Sequence, residues 1–288
     1  MAQETVLSLA QKAASHLAGK GLEQARLESE LMLAAVLGIS RLDLYLQHDR
    51  AVDDAQLEQF RSHVRRRLKR EPLQYILGRA AFRKLELQVD RRVLIPRPET
   101  EVLVDQVIRW LQQQSGPQRV LDLGTGSGAI ALSLVRETDA QVTATDVSDQ
   151  ALAVARGNAE RLSLSPRVEF RSGSLWQPIA DAERFDAIVS NPPYVADHER
   201  ESLQPEVRDW EPAQALFAGA NGLDIIELVI DGAAQRLRAG GLLALELGVQ
   251  QAASVRTRIE QDVRYTNVQI HKDLSGRERV VVAETHKG

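Results

Sequence analysis

Up to about residue 75 the apolar positions recur at intervals of three and four, as in Leu27, Leu31, Ala34, Ala35 and Leu37. That spacing gathers side chains on one face of a helix. Gly19, Gly21 and Gly38 stand where such helices would stop. The pattern predicts a small helical bundle. Its last helix begins with Asp53 or Asp54 as cap and ends in Arg61, Arg65, Arg66, Arg67, Lys69 and Arg70, before Pro72 closes it. A side-chain oxygen suits the free amides of a first turn, and cations suit the negative pole. The basic run reads first as a solvated helix face, and second as a docking surface for an acidic or nucleic-acid-associated macromolecule.

In AFRKLELQVDRRVLIP (81–96), Phe82, Leu85, Leu87 and Val89 alternate imperfectly with polar residues, and Asp90-Arg91-Arg92 is turn-like. A short hairpin between two domains is expected there, with the boundary near residue 80. From Pro98 the pattern changes to helices alternating with short apolar strands, the signature of a parallel α/β sheet. A helix is expected over 100–113, and strands at 119–124, 141–146, 167–172, 185–190 and 241–247. Helices fit at 127–137, 149–162, 223–238 and 248–260. The segments 267–274 and 277–284 have only Ser275-Gly276 between them, too short for a crossover, so they form an antiparallel hairpin. The expected organisation is a helical domain at 1–78, a hairpin linker at 79–97 and an α/β domain at 98–288.

Composition narrows the chemistry. The chain has no cysteine, which excludes disulfides, thiol catalysis and thiolate zinc sites and suits a reducing compartment. Its six histidines (16, 48, 63, 198, 271, 286) are scattered without ligand-like spacing, so no metal site is expected. The first residues, MAQETVLSLAQKAASHL, do not read as a signal peptide, and no window approaches 18 uncharged apolar residues, so a cytoplasmic protein with no membrane partner is expected. A net charge of −4 argues against broad polyanion binding.

Three motifs carry chemistry. Asp122-Leu123-Gly124-Thr125-Gly126-Ser127-Gly128-Ala129 ends a strand and opens a helix. Its glycines permit a sharp turn and close approach of a ligand, and the helix offers free N–H groups. Read strictly this is also G-x-G-x-x-A, so alone it does not separate nicotinamide cofactors from S-adenosylmethionine. Asp146 closes the next strand, where a carboxylate accepts from ribose hydroxyls; the plainer reading is a helix cap, a role Ser148 or Asp149 fills. The deciding motif is Ser190-Asn191-Pro192-Pro193-Tyr194. Two prolines remove two backbone donors and stiffen the turn, freeing the Asn191 side-chain oxygen and the Pro192 carbonyl as acceptors for a target NH₂. Tyr194 adds a flat surface for stacking. A hydride-transferring enzyme has no use for this motif.

EPLQYILG (71–78), VLIPRPETE (93–101), DLGTGSGAIALSL (122–134), SNPPY (190–194), EPAQALFAGANGLD (211–224) and DLSGRERVVVAE (273–284) together resemble the peptide chain release factor N5-glutamine methyltransferases, the PrmC/HemK family. The resemblance runs through nearly the whole chain. NPPY is shared with many amino-group methyltransferases, whereas I-P-R-P-E-T-E is more selective. The resemblance implies a class I, Rossmann-like methyltransferase sheet with a C-terminal antiparallel hairpin, preceded by a helical domain that holds the protein substrate. It implies that Gly124, Thr125, Gly126, Ser127 and Gly128 surround the methionine part of S-adenosyl-L-methionine, and that Asp146 holds the ribose. Asn191, Pro192, Pro193 and Tyr194 would position the substrate and serve catalysis. Trp176, or Leu175 beside it, would adjoin the adenine, and Arg97, Glu99 and Glu101 would line the pocket or open the next helix. The implied reaction is methyl transfer to the glutamine of the GGQ motif of class 1 release factors, leaving S-adenosyl-L-homocysteine; a monomer is expected, and the acidic charge balance argues against a direct nucleic-acid substrate. The alternative is an adenine or guanine amino methyltransferase, whose flipped base would use the same acceptors.

Overall fold

A computed structural model of the chain describes residues 4–287; residues 1–3 and 288, the outer ends of the two expected domains, lie outside the described residues. The elements in chain order are α1 (Val6–Ala18), α2 (Ala25–Leu37), α3 (Arg41–Leu46), α4 (Asp54–Leu68), α5 (Leu73–Leu77), β1 (Arg79–Phe82), β2 (Leu85–Gln88), α6 (Pro98–Leu111), β3 (Arg119–Leu123) and α7 (Ala129–Glu137). They continue with β4 (Gln141–Asp146), α8 (Asp149–Arg161), β5 (Val168–Ser172), β6 (Phe185–Ser190), α9 (Pro205–Arg208), α10 (Asp224–Arg236), β7 (Leu237–Glu246), α11 (Ala252–Glu260), β8 (Tyr265–Lys272) and β9 (Glu278–Thr285). The described chain divides into two compact units, one of residues 4–78 with Gln204–Trp210, the other Arg79–Leu203 with residues 211–287.

Side chains cap three of the helices of the first unit, α1, α3 and α4. Thr5 accepts from Ser8 N, Ser40 and Asp43 form a capping box, and Asp53 accepts from Gln56 N. Each such cap satisfies an amide that the helix leaves free. Leu9, Leu17, Met32, Leu33, Phe60 and Ile76 make the core. The basic end of α4 is mixed: Arg61, Arg65 and Lys69 are exposed, whereas Arg66, Arg67 and Arg70 are drawn into ion pairs. Arg67 is only 6% exposed and pairs with Glu28 at 2.7 Å and Glu206 at 2.9 Å. Arg66 pairs with Glu71 at 2.6 Å, Arg65 with Glu58 at 2.5 Å and Arg70 with Glu206 at 3.0 Å. Through Glu206, α9 joins this unit although it lies far along the sequence.

The second unit is built on a seven-stranded sheet of order β5-β4-β3-β6-β7-β9-β8. The strands from β5 to β7 are parallel, and β9 and β8 add antiparallel. Gly276, at φ 79°, turns the final hairpin. Helices cover both faces, so β3 and β6 are almost wholly buried, as their apolar sequences require. The expected methyltransferase-type sheet with its terminal hairpin is the one observed. The expected strand at 241–247 starts earlier, at Leu237, where the last turn of the expected helix passes directly into the sheet. The β1–β2 hairpin packs with this unit: Asn158, fully buried on α8, accepts from Gln88 N at 2.7 Å and donates to Gln88 O and Ser127 O at 3.0 Å. A single amide thus ties the hairpin to the glycine loop.

Arg67→Met is expected to destabilise the chain by about 3 kcal/mol, because it strands the Glu28 and Glu206 carboxylates. Urea denaturation followed by far-UV circular dichroism measures this. A change below about 0.5 kcal/mol, the range of ordinary surface substitutions, would show that the cluster is merely superficial.

Candidate active site

Strand order decides where the motifs meet. Crossovers from β3 run outward to β4 and β5, and the chain then returns to place β6 on the other side of β3. The C-terminal ends of β3 and β6 therefore flank a topological switch point, where open α/β sheets bind ligands. Leu123 and Ser190 are register partners, and Ser190 Oγ donates to Leu123 O at 2.7 Å. The glycine loop and Asn191 consequently leave the sheet side by side, and Asp146 ends the next strand over.

The glycine loop is held from behind. Gly124 N and Thr125 N both donate to Thr145 O, at 2.9 and 2.8 Å. Helix α7 has Gly128 as its N-cap and so no capping side chain of its own. Asp122 takes that role: its Oδ2 accepts from Ala131 N at 3.2 Å and from Thr125 Oγ1 at 2.7 Å. Complete burial pushes the Asp122 carboxyl up to about 7, and its Oδ1 has no hydrogen-bond partner. Gly124 and Gly126 adopt φ of 76° and 55°, and a Cβ on either would meet nothing within 4 Å. Both line an open cavity. Thr125, Ser127 and Gly128 are buried behind the loop and do not line it.

Asp146 stands on the same cavity. Its Oδ2 accepts from Gly126 N and its Oδ1 from Ser148 N, each at 2.9 Å, while burial raises its pKa. Asp146 thus shapes the loop and presents a carboxylate to the cavity at once, while Ser148 is the cap of α8. Leu175, at φ 47°, is part of the wall; Trp176 is not. The Trp176 indole Nε1 donates to Leu228 O at 3.0 Å, its ring lies against α10 beside Gly232, and the Arg236 guanidinium covers it at 4.9 Å. Of the two residues expected beside the adenine, Leu175 lines the cavity and Trp176 does not, its indole donor being engaged by a carbonyl within α10.

Asn191, Pro192 and Pro193 line the cavity, but Tyr194 does not. Asn191 Nδ2 donates to Thr100 Oγ1 at 3.1 Å, and Thr100 Oγ1 donates to Glu246 Oε2 at 2.5 Å. The Tyr194 hydroxyl donates to the other oxygen, Glu246 Oε1, at 3.2 Å. The Tyr194 phenol is thus held by Glu246, while the residue as a whole is only partly buried. Burial pushes Glu246 up to about 7, against the pull of Thr100 and Arg279, and also raises the Tyr194 phenol. Arg97 pairs with the buried Glu211 at 2.6 Å, fixing the segment whose Pro212, Gln214 and Ala215 face the cavity. Glu101 accepts from Arg83 N at 2.9 Å, and neither Glu99 nor Glu101 lines the cavity. Thr100, Glu211 and Glu246 were not singled out from sequence. Glu246 had a signal: it is the only charge in GLLALEL, and an ionisable group in a buried strand calls for a partner. Among the described residues no group of three or more His, Asp or Glu could hold a metal ion, and no helix is long and apolar enough to cross a membrane.

Comparison with known proteins agrees with this geometry along the chain. The family model described as the PrmC N-terminal domain matches residues 8–78, and the methyltransferase small domain matches residues 100–207. The release factor glutamine methyltransferase of Geobacter sulfurreducens is 46% identical over 241 residues, covering 83% of each chain. That of Rhodopirellula baltica is 39% identical over 282 residues, covering 96% of this chain and 95% of its own. This chain belongs to the release factor glutamine methyltransferase family. Two solved structures share the fold: a methyltransferase from Pyrococcus furiosus (TM-score 0.53, 20% identity, 72% of this chain and 91% of that one), and the 16S rRNA N2 G1207 methyltransferase of Thermus thermophilus in complex with AdoMet and guanosine (TM-score 0.53, 21% identity, 72% and 50%). Family membership makes the chain a methyltransferase, and the oxidoreductase reading of the glycine loop falls away.

The buried carboxyls give the fold a pH signature. Asp122 and Glu246 ordinarily titrate at 3.8 and 4.5, and both rise to about 7 in the fold. The folded chain then holds more protons than the unfolded chain between those values. Their contribution is complete below about pH 4 and is lost as pH rises through 7, at up to about 1.4 kcal/mol per pH unit for each group. Asp122→Asn keeps the acceptor for Thr125 and Ala131 without the titration. Between pH 5 and pH 8 its urea midpoint should fall less than that of the parent; identical profiles would mean that Asp122 is ionised throughout.

Proposed function

We propose that this chain transfers the methyl group of S-adenosyl-L-methionine to the side-chain amide nitrogen, N5, of the glutamine in the GGQ motif of class 1 peptide chain release factors. The observation that carries the reading is the orientation of Asn191. With Nδ2 committed to Thr100, its Oδ1 is left as an acceptor beside a cavity that the glycine loop also lines. The relatives named above supply the substrate class.

Residues that line the cavity suit the cofactor's chemistry. Gly124 and Gly126 leave open space where any side chain would intrude, and Asp146 offers a partly buried carboxylate to hydroxyl donors. We assign Gly124 and Gly126 to the methionine part, with Thr125, Ser127 and Gly128 shaping the loop from behind. Asp146 is assigned to the ribose, and Leu175 to the adenine side. When bound, S-adenosyl-L-methionine supplies an electrophilic methyl on a sulfonium sulfur.

The chain's own residues make a poor nucleophile usable. An amide nitrogen shares its lone pair with the carbonyl, so rate must come from aiming it. Asn191 Oδ1 and the Pro192 carbonyl each accept one amide hydrogen, a pairing that selects an NH₂ group and fixes its plane. Pro192 and Pro193 hold that pair rigid, having no N–H to compete for it. Positioning of this kind is worth up to roughly 7–11 kcal/mol of barrier. The N-alkylated amide is a strong acid and gives up its proton after transfer. Glu246 faces Thr100 and Tyr194 and takes no part in removing it. The helical unit is assigned to holding the release factor, and the chain to acting as a cytoplasmic monomer. The nucleic-acid alternative gains little from Arg66, Arg67 and Arg70, which carboxylates already engage.

Labelled methyl should pass to an intact release factor, and not to the factor with its GGQ glutamine replaced, to DNA or to rRNA. Label on nucleic acid would keep the fold and overturn the substrate. Asn191→Ala should lower kcat at least about 100-fold, as loss of one preorganised polar contact does elsewhere, while S-adenosylmethionine still binds in a calorimetric titration. Near-normal turnover would remove Asn191 from its assigned role.

A further inference from the structure

We infer that Thr100 and Glu246 form a polarity relay that decides which end of the Asn191 amide faces the cavity, so that Glu246 positions the substrate without touching it. The inference rests on the proposed role of Asn191 and explains how that role is enforced.

An asparagine side chain is nearly symmetric in shape, with an acceptor at one end and a donor at the other. If its amide turned over, the cavity would present two N–H donors to the two N–H donors of a glutamine amide, and binding would become repulsion. Sterics alone do not choose between the two orientations. Hydrogen-bond direction does. Thr100 Oγ1 lies between Asn191 Nδ2, at 3.1 Å, and Glu246 Oε2, at 2.5 Å. A hydroxyl has one proton to give. Once ionised, above about pH 7, Glu246 only accepts, so the Thr100 proton then points to it, and the Thr100 lone pairs are left for Asn191 N–H. Reading outward, an acceptor at Glu246 enforces an acceptor at Asn191.

The same carboxylate is engaged on its other oxygen by the Tyr194 hydroxyl, which belongs to the loop that carries Asn191. Glu246 therefore holds the side chain at the head of the loop through Thr100 and the ring at its end directly. Arg279 and Glu99 are the charged groups that face it besides, Arg279 favouring its ionised form and Glu99 opposing it. Thr100 and Glu246 are both buried, at 4% and 1% exposure, so water does not replace either link.

Three substitutions separate direction from bulk. Thr100→Val keeps volume and removes the relay; Thr100→Ser keeps it. Glu246→Gln keeps shape but brings an NH₂ that can donate to Thr100, turning its proton toward Asn191. The measurements are steady-state methylation of release factor, calorimetric binding of S-adenosylmethionine, and hydrogen exchange of the Asn191 side-chain amide by NMR in the absence of substrate. Expected for Thr100→Val and Glu246→Gln are a kcat reduced at least 30-fold, cofactor affinity within threefold of the parent, and loss of protection at Asn191 Nδ2. Thr100→Ser should recover kcat to within threefold. Protection of Asn191 that persists in both Thr100→Val and Glu246→Gln would overturn the relay, whatever the activity. Absence of methylation by the parent chain would instead count against the proposed function, while the exchange data would still decide whether the relay exists. Lost protection with unchanged kcat would show that the relay exists but does not position the substrate, and would overturn the inference as stated.

Discussion

The parallel register of β3 against β6 is the constraint on which the site depends. Leu123 pairs with Ser190, and the two strands end together. The glycine loop and the Asn191 turn therefore begin at the same height, on neighbouring strands. A slip of one residue would reverse every side chain of a strand between the two faces of the sheet. Both strands are buried on both faces, so such a slip is resisted by packing throughout their length and by the Ser190 hydroxyl bond to Leu123 O. The site inherits its precision from the core.

Around that register the protein places ionisable groups where burial is unfavourable to their charge. Asp122 takes the place of a capping side chain that Gly128 lacks, and Glu246 anchors two elements at once. Each meets a need that an apolar residue could not. Removing Asp122 would leave the Thr125 hydroxyl and the Ala131 amide unpaired, and removing Glu246 would free Thr100 and Tyr194. Unmet buried groups of this kind cost about 1–3 kcal/mol apiece. Stability and function draw on the same bonds here.

Much of this was legible in sequence because it is local. Glycines at sites of positive φ, proline pairs and strand alternation act over a few residues, and the elements they predicted lie within a few positions of those observed. What escaped was set by partners far along the chain. Trp176 sits one residue from the cavity wall, yet its indole is drawn to Leu228 O, 52 residues away. Arg67 looked like part of a free face because Glu28 and Glu206, 39 and 139 residues away, are invisible to a local reading. Gln204–Trp210 joins the helical unit for the same reason: Glu206 carries the charge that Arg67 and Arg70 require.

The Asn191 motif shows where local reading must end. The residues Asn191-Pro192-Pro193-Tyr194 specify a rigid turn with two candidate acceptors, and that much is intrinsic to them. Whether the asparagine presents oxygen or nitrogen is not. Its direction comes from Thr100, 91 residues earlier, which in turn takes its direction from Glu246, 146 residues after Thr100. The first lies in the opening turn of α6 and the second at the end of β7, so the order along this short path exists only once helix and sheet have packed. The same four residues on another scaffold, with a donor in place of Glu246, would face a ligand with opposite polarity. The chemistry of the motif is thus a tertiary property, and the residues behind the turn define its specificity as surely as those that face the substrate.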